Sequence, residues 1–239
     1  MSIDLNFWKC KKGMKLDSNE VYQRVCCNGE EIEGLEHLPI EAILEEIAAT
    51  FAGWNQLDKC TYENEEGGSF QIYATSQALR FDCYSMSQGD RKRFSAVLSG
   101  FCCPLYDPQL GVRFDKILVR LHEEAVGYEE RARQEITKLL PGLEIAVEPV
   151  EYPEGPRPLT ATGELQLEIY IHRAKTLTKV TSNIFAGTFW SSRPCQCKTA
   201  LLAEPETAHG ILSELISKSI GRAVEDLFNR TNFSVGSKE

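Results

Sequence analysis

The sequence predicts an α+β protein of two small domains, each a mostly antiparallel sheet with helices packed on it. Three observations carry that prediction. Short segments alternate apolar and polar residues with the period of a strand. Other segments repeat apolar residues three and four apart, as a helix with one buried face does. A proline-containing tract, Cys102-Cys103-Pro104-Leu105-Tyr106-Asp107-Pro108-Gln109, divides the chain near its middle. The first domain takes residues 1–111; the second takes 112–239 and ends in a long helix. A length of 239 residues is comfortable for two domains. The 42% of hydrophobic residues supplies a sizeable core, and the 26% of charged residues is that of a globular chain.

The first domain opens with Ile3, Leu5 and Phe7 alternating against Asp4 and Asn6, a half-buried strand. A helix follows from Pro39 to about Ala52. Ile40, Ile43, Leu44, Ile47 and Phe51 share one face, and Glu41, Glu45 and Glu46 the other. Pro39 suits the first turn, where its missing N–H is not needed. Two strands come next, Phe70–Thr75 and Ala78–Tyr84, joined by Ser76-Gln77 as a hairpin. An acidic, glycine-containing loop, Asn64 to Gly68, precedes them. A second helix spans about Asp90 to Phe101 on Phe94, Val97, Leu98 and Phe101, and the proline tract ends it.

The second domain starts with a strand at Lys116–His122. A helix covers about Val126 to Leu140 and stops at Pro141-Gly142. A strand follows at Leu143–Val147, and Pro149 to Thr162, with four prolines, reads as a loop or exposed linker. Glu164–Arg173 alternates Leu165, Leu167, Ile169 and Ile171 with polar residues, which predicts one buried face and one wet face. Lys179 to Trp190 reads as its antiparallel neighbour. After a polar loop, a helix from about Thr207 to Asn229 carries Ile211, Leu212, Leu215, Ile216, Ile220, Ala223 and Leu227 as its stripe.

Composition and motifs exclude more than they include. A pI near 5.1 and scattered bases argue against nucleic acid, which needs a basic stripe. No stretch of about 18 apolar residues exists to span a membrane, and no secretory signal is read at the start, so a cytoplasmic location is expected. Nine cysteines, an odd count with vicinal pairs at Cys26–Cys27 and Cys102–Cys103, fit no disulfide framework and imply reduced thiols. Vicinal pairs and the one-apart pair Cys195 and Cys197 chelate zinc poorly, so no metal site and no cofactor is expected. Cys83 continues an apolar strand face and reads as a core thiol. Cys102 and Cys103 follow a helix C-terminus, which does not favour a thiolate. The histidines His37, His122, His172 and His209 are candidate bases that the sequence cannot place beside a thiol. Phosphate-binding loops, dinucleotide fingerprints and nucleophile elbows are absent, and no catalytic residue is assigned.

The informative feature is charge. Between Glu30 and Glu66 lie eleven acids and one base, Lys59, a net of −10 against −9 for the whole chain. Such a segment on a small protein points to a basic protein partner. A solvated helix face accounts for Glu41, Glu45 and Glu46. That leaves the loop acids Glu30, Glu31, Glu33, Glu36, Glu63, Glu65 and Glu66 as candidate partner-binding residues. Tyr73 joins them because alternation turns it away from Phe70 and Ile72.

Three phrases carry a resemblance. They are Glu33-Gly34-Leu35-Glu36-His37-Leu38-Pro39-Ile40, Phe81-Asp82-Cys83-Tyr84 and Cys103-Pro104-Leu105-Tyr106-Asp107-Pro108-Gln109. Over about Ile3 to Phe114 the chain resembles small bacterial cytosolic proteins, some of them like the immunity proteins that accompany polymorphic toxins. The resemblance implies a non-enzymatic protein that neutralises a basic toxin through an acidic surface, and it defines no catalytic residue. Two other readings stand beside it: a thiol- or metal-dependent enzyme, and a scaffold that oligomerises through an open strand edge of the second domain.

Overall fold

A computed structural model of the chain describes residues 2–150 and 164–235. The fold is α+β, with mostly antiparallel strand pairing. The chain divides into two compact units, Met1–Phe114 with Asn232–Glu239, and Asp115–Thr231.

In the first unit the strands are β1 (Ser2–Trp8), β2 (Asn55–Asp58), β3 (Thr61–Asn64), β4 (Gly68–Ala74), β5 (Ala78–Tyr84) and β6 (Leu105–Asp107). Their order is β6-β1-β5-β4-β3-β2, every pair antiparallel. Helices α2 (Ile40–Thr50) and α3 (Gln88–Gly100) supply the core on one side of the sheet. Phe94 of α3 meets Phe81 at 4.3 Å and Phe70 and Phe51 at 4.9 Å between ring centroids, and all four rings are essentially fully buried. The helix α3 starts where Ser87 accepts a hydrogen bond from the Asp90 amide, an N-cap that satisfies a free helix donor.

Three expectations for this unit are corrected. The second half of β1 is buried on both sides: Leu5 and Phe7 face α2 and α3, while Asn6 and Trp8 are just as buried opposite. The reason is a short helix, α1 (Ser18–Val21), that runs on as a π-helical stretch, Tyr22–Cys27. It packs Val21, Val25 and Cys26 against Trp8, Ala78 and Tyr106. Next, Pro39 precedes the helix as its N-cap rather than opening it. Finally, the strands β2 and β3 form a hairpin ahead of the acidic loop, and that loop is the β3–β4 turn.

Asp107, at the end of β6, is 2% exposed. It accepts hydrogen bonds from the amides of Gln109 and Leu110 and from the Asn232 side chain, so it ties the C-terminal residues to this unit. Asn232 also receives Arg91 Nε at 2.9 Å, and Phe233 stacks on Phe114 at 4.7 Å. Burial raises the Asp107 carboxyl above its usual 3.8, against the pull of these donors. A carboxyl with a raised folded-state pKa holds its proton better in the folded chain than in the unfolded one. Its contribution to stability is therefore complete below 3.8 and is lost as pH rises through the folded value. Asp107→Asn, neutral throughout, is expected to flatten that part of the stability profile. Urea unfolding at stepped pH from 3.8 upward checks it; parallel profiles for both proteins would contradict it.

The second unit contains most of β7 (Val112–His122), which begins in the first unit by pairing with β6. With it are α4 (Glu129–Leu139), β8 (Glu144–Val150), β9 (Glu164–Arg173), β10 (Leu177–Ala186), β11 (Phe189–Lys198) and α5 (Pro205–Arg230). The order is β11-β10-β9-β7, with β8 parallel to β7 on its other edge. A parallel pair needs a crossover, and α4 is that crossover. The helix α5 packs on β10, β11 and α4, with Leu212, Ile216, Ile220, Ala223 and Leu227 fully or nearly fully buried.

Here too the structure corrects details. Lys179–Trp190 is not one strand: Gly187, at φ +58°, turns β10 into β11 across two residues. A positive φ is natural for glycine and suits such hairpins. The expected polar loop is largely the polar strand β11. Pro149 and Val150 end β8, paired with Leu121 and His122, rather than opening a loop. The remainder of that expected loop, 151–162, lies outside the described residues. The polar side of β9 is not wet either, since Gln166 and Glu168 are each 8% exposed.

Candidate partner-binding surface

The two sides of the first unit's sheet follow from its register. Phe70, Ile72, Leu79, Phe81, Leu5 and Phe7 point toward α2 and α3. The alternate residues, paired Ser69 with Tyr84, Gln71 with Asp82 and Tyr73 with Arg80, share the opposite side. On that side β1 contributes Ser2, Asp4, Asn6 and Trp8, and β3 contributes Thr61 and Glu63. The π-helical stretch covers the part over Trp8 and Ala78. Tyr73 and Tyr84 remain 42% and 44% exposed.

Arg80 organises the middle of this side. Its guanidinium lies 4.3 Å from the Tyr73 ring centroid, pairs with Asp82 at 2.8 Å and donates to the Cys26 carbonyl at 3.2 Å. Asp4 lies opposite Asp82 across β1 and β5. Burial and the like charge of Asp82 raise the Asp4 carboxyl, although Arg80 and a hydrogen bond with Tyr22 oppose that shift.

The predicted residues fall into separate places. Glu30 pairs with Arg24 at 2.8 Å and Glu36 with Lys9 at 2.7 Å, so two of the loop acids have structural partners. Glu31 accepts from the Ser76 hydroxyl. Glu31 and Glu33 line an open groove of about 330 Å³ with Leu16, Asp17, Glu20 and Arg24. Glu63 accepts from Asn55 at 3.0 Å on the open side of the sheet. Glu65 and Glu66 are exposed in the β3–β4 turn, whose amides bond to the Asn64 side chain. The structure therefore does not bring Glu30–Glu36 and Glu63–Glu66 together by any hydrogen bond or ion pair among the described residues. It places Tyr73 with Glu63 on one side of the sheet, and adds Asp4, Asp82 and Tyr84, which the charge count overlooked. The phrase Arg80-Phe81-Asp82-Cys83-Tyr84 held the signal, because alternation alone puts Arg80, Asp82 and Tyr84 on one side.

A second polar cluster sits in the second unit. The Tyr170 hydroxyl donates to Glu168 at 2.6 Å, the His122 ring stacks on Tyr170 at 3.6 Å, and His122 Nε2 is 3.9 Å from Glu168. Arg120 reaches Gln166 at 3.3 Å. His122 is 3% exposed, in keeping with a packing role.

The thiols are all free. Cys26, Cys83 and Cys103 are buried, and burial pushes each up to about 12. Cys27 and Cys102 are exposed. Brief alkylation of the native protein at neutral pH is expected to modify Cys27 and Cys102 first, and Cys26, Cys83 and Cys103 only after unfolding. Peptide mapping reads the order; early modification of Cys103 would contradict it. No group of three or more His, Cys, Asp or Glu able to hold a metal ion occurs among the described residues. No helix among them is long and apolar enough to cross a membrane.

No family model and no curated protein matches the chain. Among solved structures, the protein VC0702 from Vibrio cholerae is similar over 50% of this chain and 99% of its own, at 10% identity and a TM-score of 0.35.

Proposed function

We propose that the chain is a non-enzymatic binding protein whose first unit engages a basic protein partner through its acidic surface. The observation that carries this reading is the charge excess between Glu30 and Glu66 together with its exposure. Ten of the eleven acids there are exposed, with Glu36 the exception. Glu30 is paired with Arg24 and the acids fall in separate places, so the reading rests on long-range attraction, in which exposed negative charge steers a cationic partner to the surface. The resemblance of Ile3–Phe114 to immunity-like proteins makes a cationic toxin the first partner to test. An acidic cover masks a cationic active site and speeds association with it.

The test is charge reversal. Glu63→Lys with Glu65→Lys, and separately Glu41→Lys with Glu45→Lys, are expected to slow association with the partner by about tenfold at low salt and to leave dissociation nearly unchanged. Surface plasmon resonance separates the two rates. Parent-like association by both double variants at low salt would overturn the reading.

A further inference from the structure

We propose that the open side of the first unit's sheet is a docking site for arginine side chains of a basic protein, with Tyr84 as the stacking platform and Asp4 and Asp82 as its anionic flank. The inference deepens the reading above and rests on it.

The sheet already contains one such arrangement. Arg80 lies 4.3 Å from the Tyr73 ring centroid while its Nε meets Asp82 Oδ1 at 2.8 Å. That is a guanidinium held between an aromatic ring and a carboxylate. Tyr84 sits four residues further along β5 on the same side, opposite Ser2 on β1 and Ser69 on β4. Both of those neighbours are small, so the ring is bordered by low side chains and stands 44% exposed. Its surroundings are anionic. Asp82 and Asp4 both act on the Tyr84 hydroxyl and help raise it, with Asp82 the largest influence. Glu63 lies in the same cross-strand row through Ser69.

Among the described residues, Asp4, Asp82, Glu63 and Asp58, the strand partner of Thr61, share this side with one base, Arg80, and that base is engaged with Tyr73, Asp82 and the Cys26 carbonyl. The negative charge left over on this side is offset by an incoming cation. Stacking on a tyrosine favours arginine over lysine, because guanidinium is planar, weakly hydrated and able to bridge a ring and a carboxylate together. The same negative charge repels nucleic-acid phosphates, whereas the arginines of a basic protein meet both the ring and the carboxylates.

The full-length protein is titrated with octa-arginine and octa-lysine, equal in charge, at low ionic strength. The parent is expected to bind octa-arginine about three- to tenfold more tightly than octa-lysine. Tyr84→Leu should abolish that preference and Tyr84→Phe should keep it, with thermal midpoints confirming that both variants fold. Equal binding of the two peptides by the parent, or a preference that survives in Tyr84→Leu, overturns the docking site and leaves the acidic-surface reading standing. Failure of the parent to bind either peptide overturns both.

Discussion

Phe94→Ala is expected to destabilise the first unit by about 3–5 kcal/mol, among the largest effects a single truncation here can have. The ring is fully buried and stacks on Phe81 at 4.3 Å and on Phe51 at 4.9 Å, and it meets Phe70 edge-on. Removing it leaves a hole walled by three other rings. Those rings are anchored on two strands and at the end of α2, so they cannot all move inward. Phe94→Leu fills part of the volume and is expected to cost roughly half as much. Urea denaturation of the two variants, with the midpoints compared at constant slope, reads both values. A loss below about 1 kcal/mol for Phe94→Ala would contradict the assigned core.

Gly68→Ala is expected to be nearly as damaging, through the backbone rather than the core. Gly68 has φ +87°, and a Cβ placed there would lie 2.3 Å from the Tyr84 carbonyl oxygen and 2.8 Å from the Ser85 carbonyl carbon. Both contacts are backbone atoms of the paired strand end and have little room to yield. Ser85 is itself at φ +56°. A left-handed conformation for alanine and a backbone collision together cost about 2–4 kcal/mol. Gly53→Ala is the matched control, because nothing lies within 4 Å of a Cβ there. It should change stability by less than about 1 kcal/mol. Similar losses for both glycines would contradict the β3–β4 turn as described.

Elements with a strong period were legible from the sequence. The helices α2, α3 and α5 bury most of the residues their spacing assigns, with Ile43, Ile47, Phe94, Leu98, Ile216 and Ile220 at 0% exposure, while Ile40, Val97, Phe101, Ile211 and Leu215 are only half-buried. Elements without a period were not. β2, Asn-Gln-Leu-Asp, is exposed throughout, so no alternation marks it. β11 is an edge strand of mostly polar residues that reads as loop. The π-helical stretch at Tyr22–Cys27 has no sequence signature, yet it decides whether Asn6 and Trp8 meet water.

The candidate surface shows the same division. Alternation put Tyr73 on the side away from Phe70, and the structure leaves it there, 42% exposed. Charge counting found Glu30 and Glu36 but could not see that Arg24 and Lys9 come back to pair with them. Nor could it rank Asp4 and Asp82, lone acids in their strands, which only strand pairing sets side by side.

The most direct measurement of the central claim is affinity capture from the native cell with the parent and the Glu63→Lys, Glu65→Lys variant, at about 50 mM and about 500 mM salt. Raising salt over that range shortens electrostatic reach to a few ångströms. A basic protein retained by the parent at low salt, released at high salt and missed by the variant is the expected result. A partner held equally by parent and variant, at both salt concentrations, would contradict it.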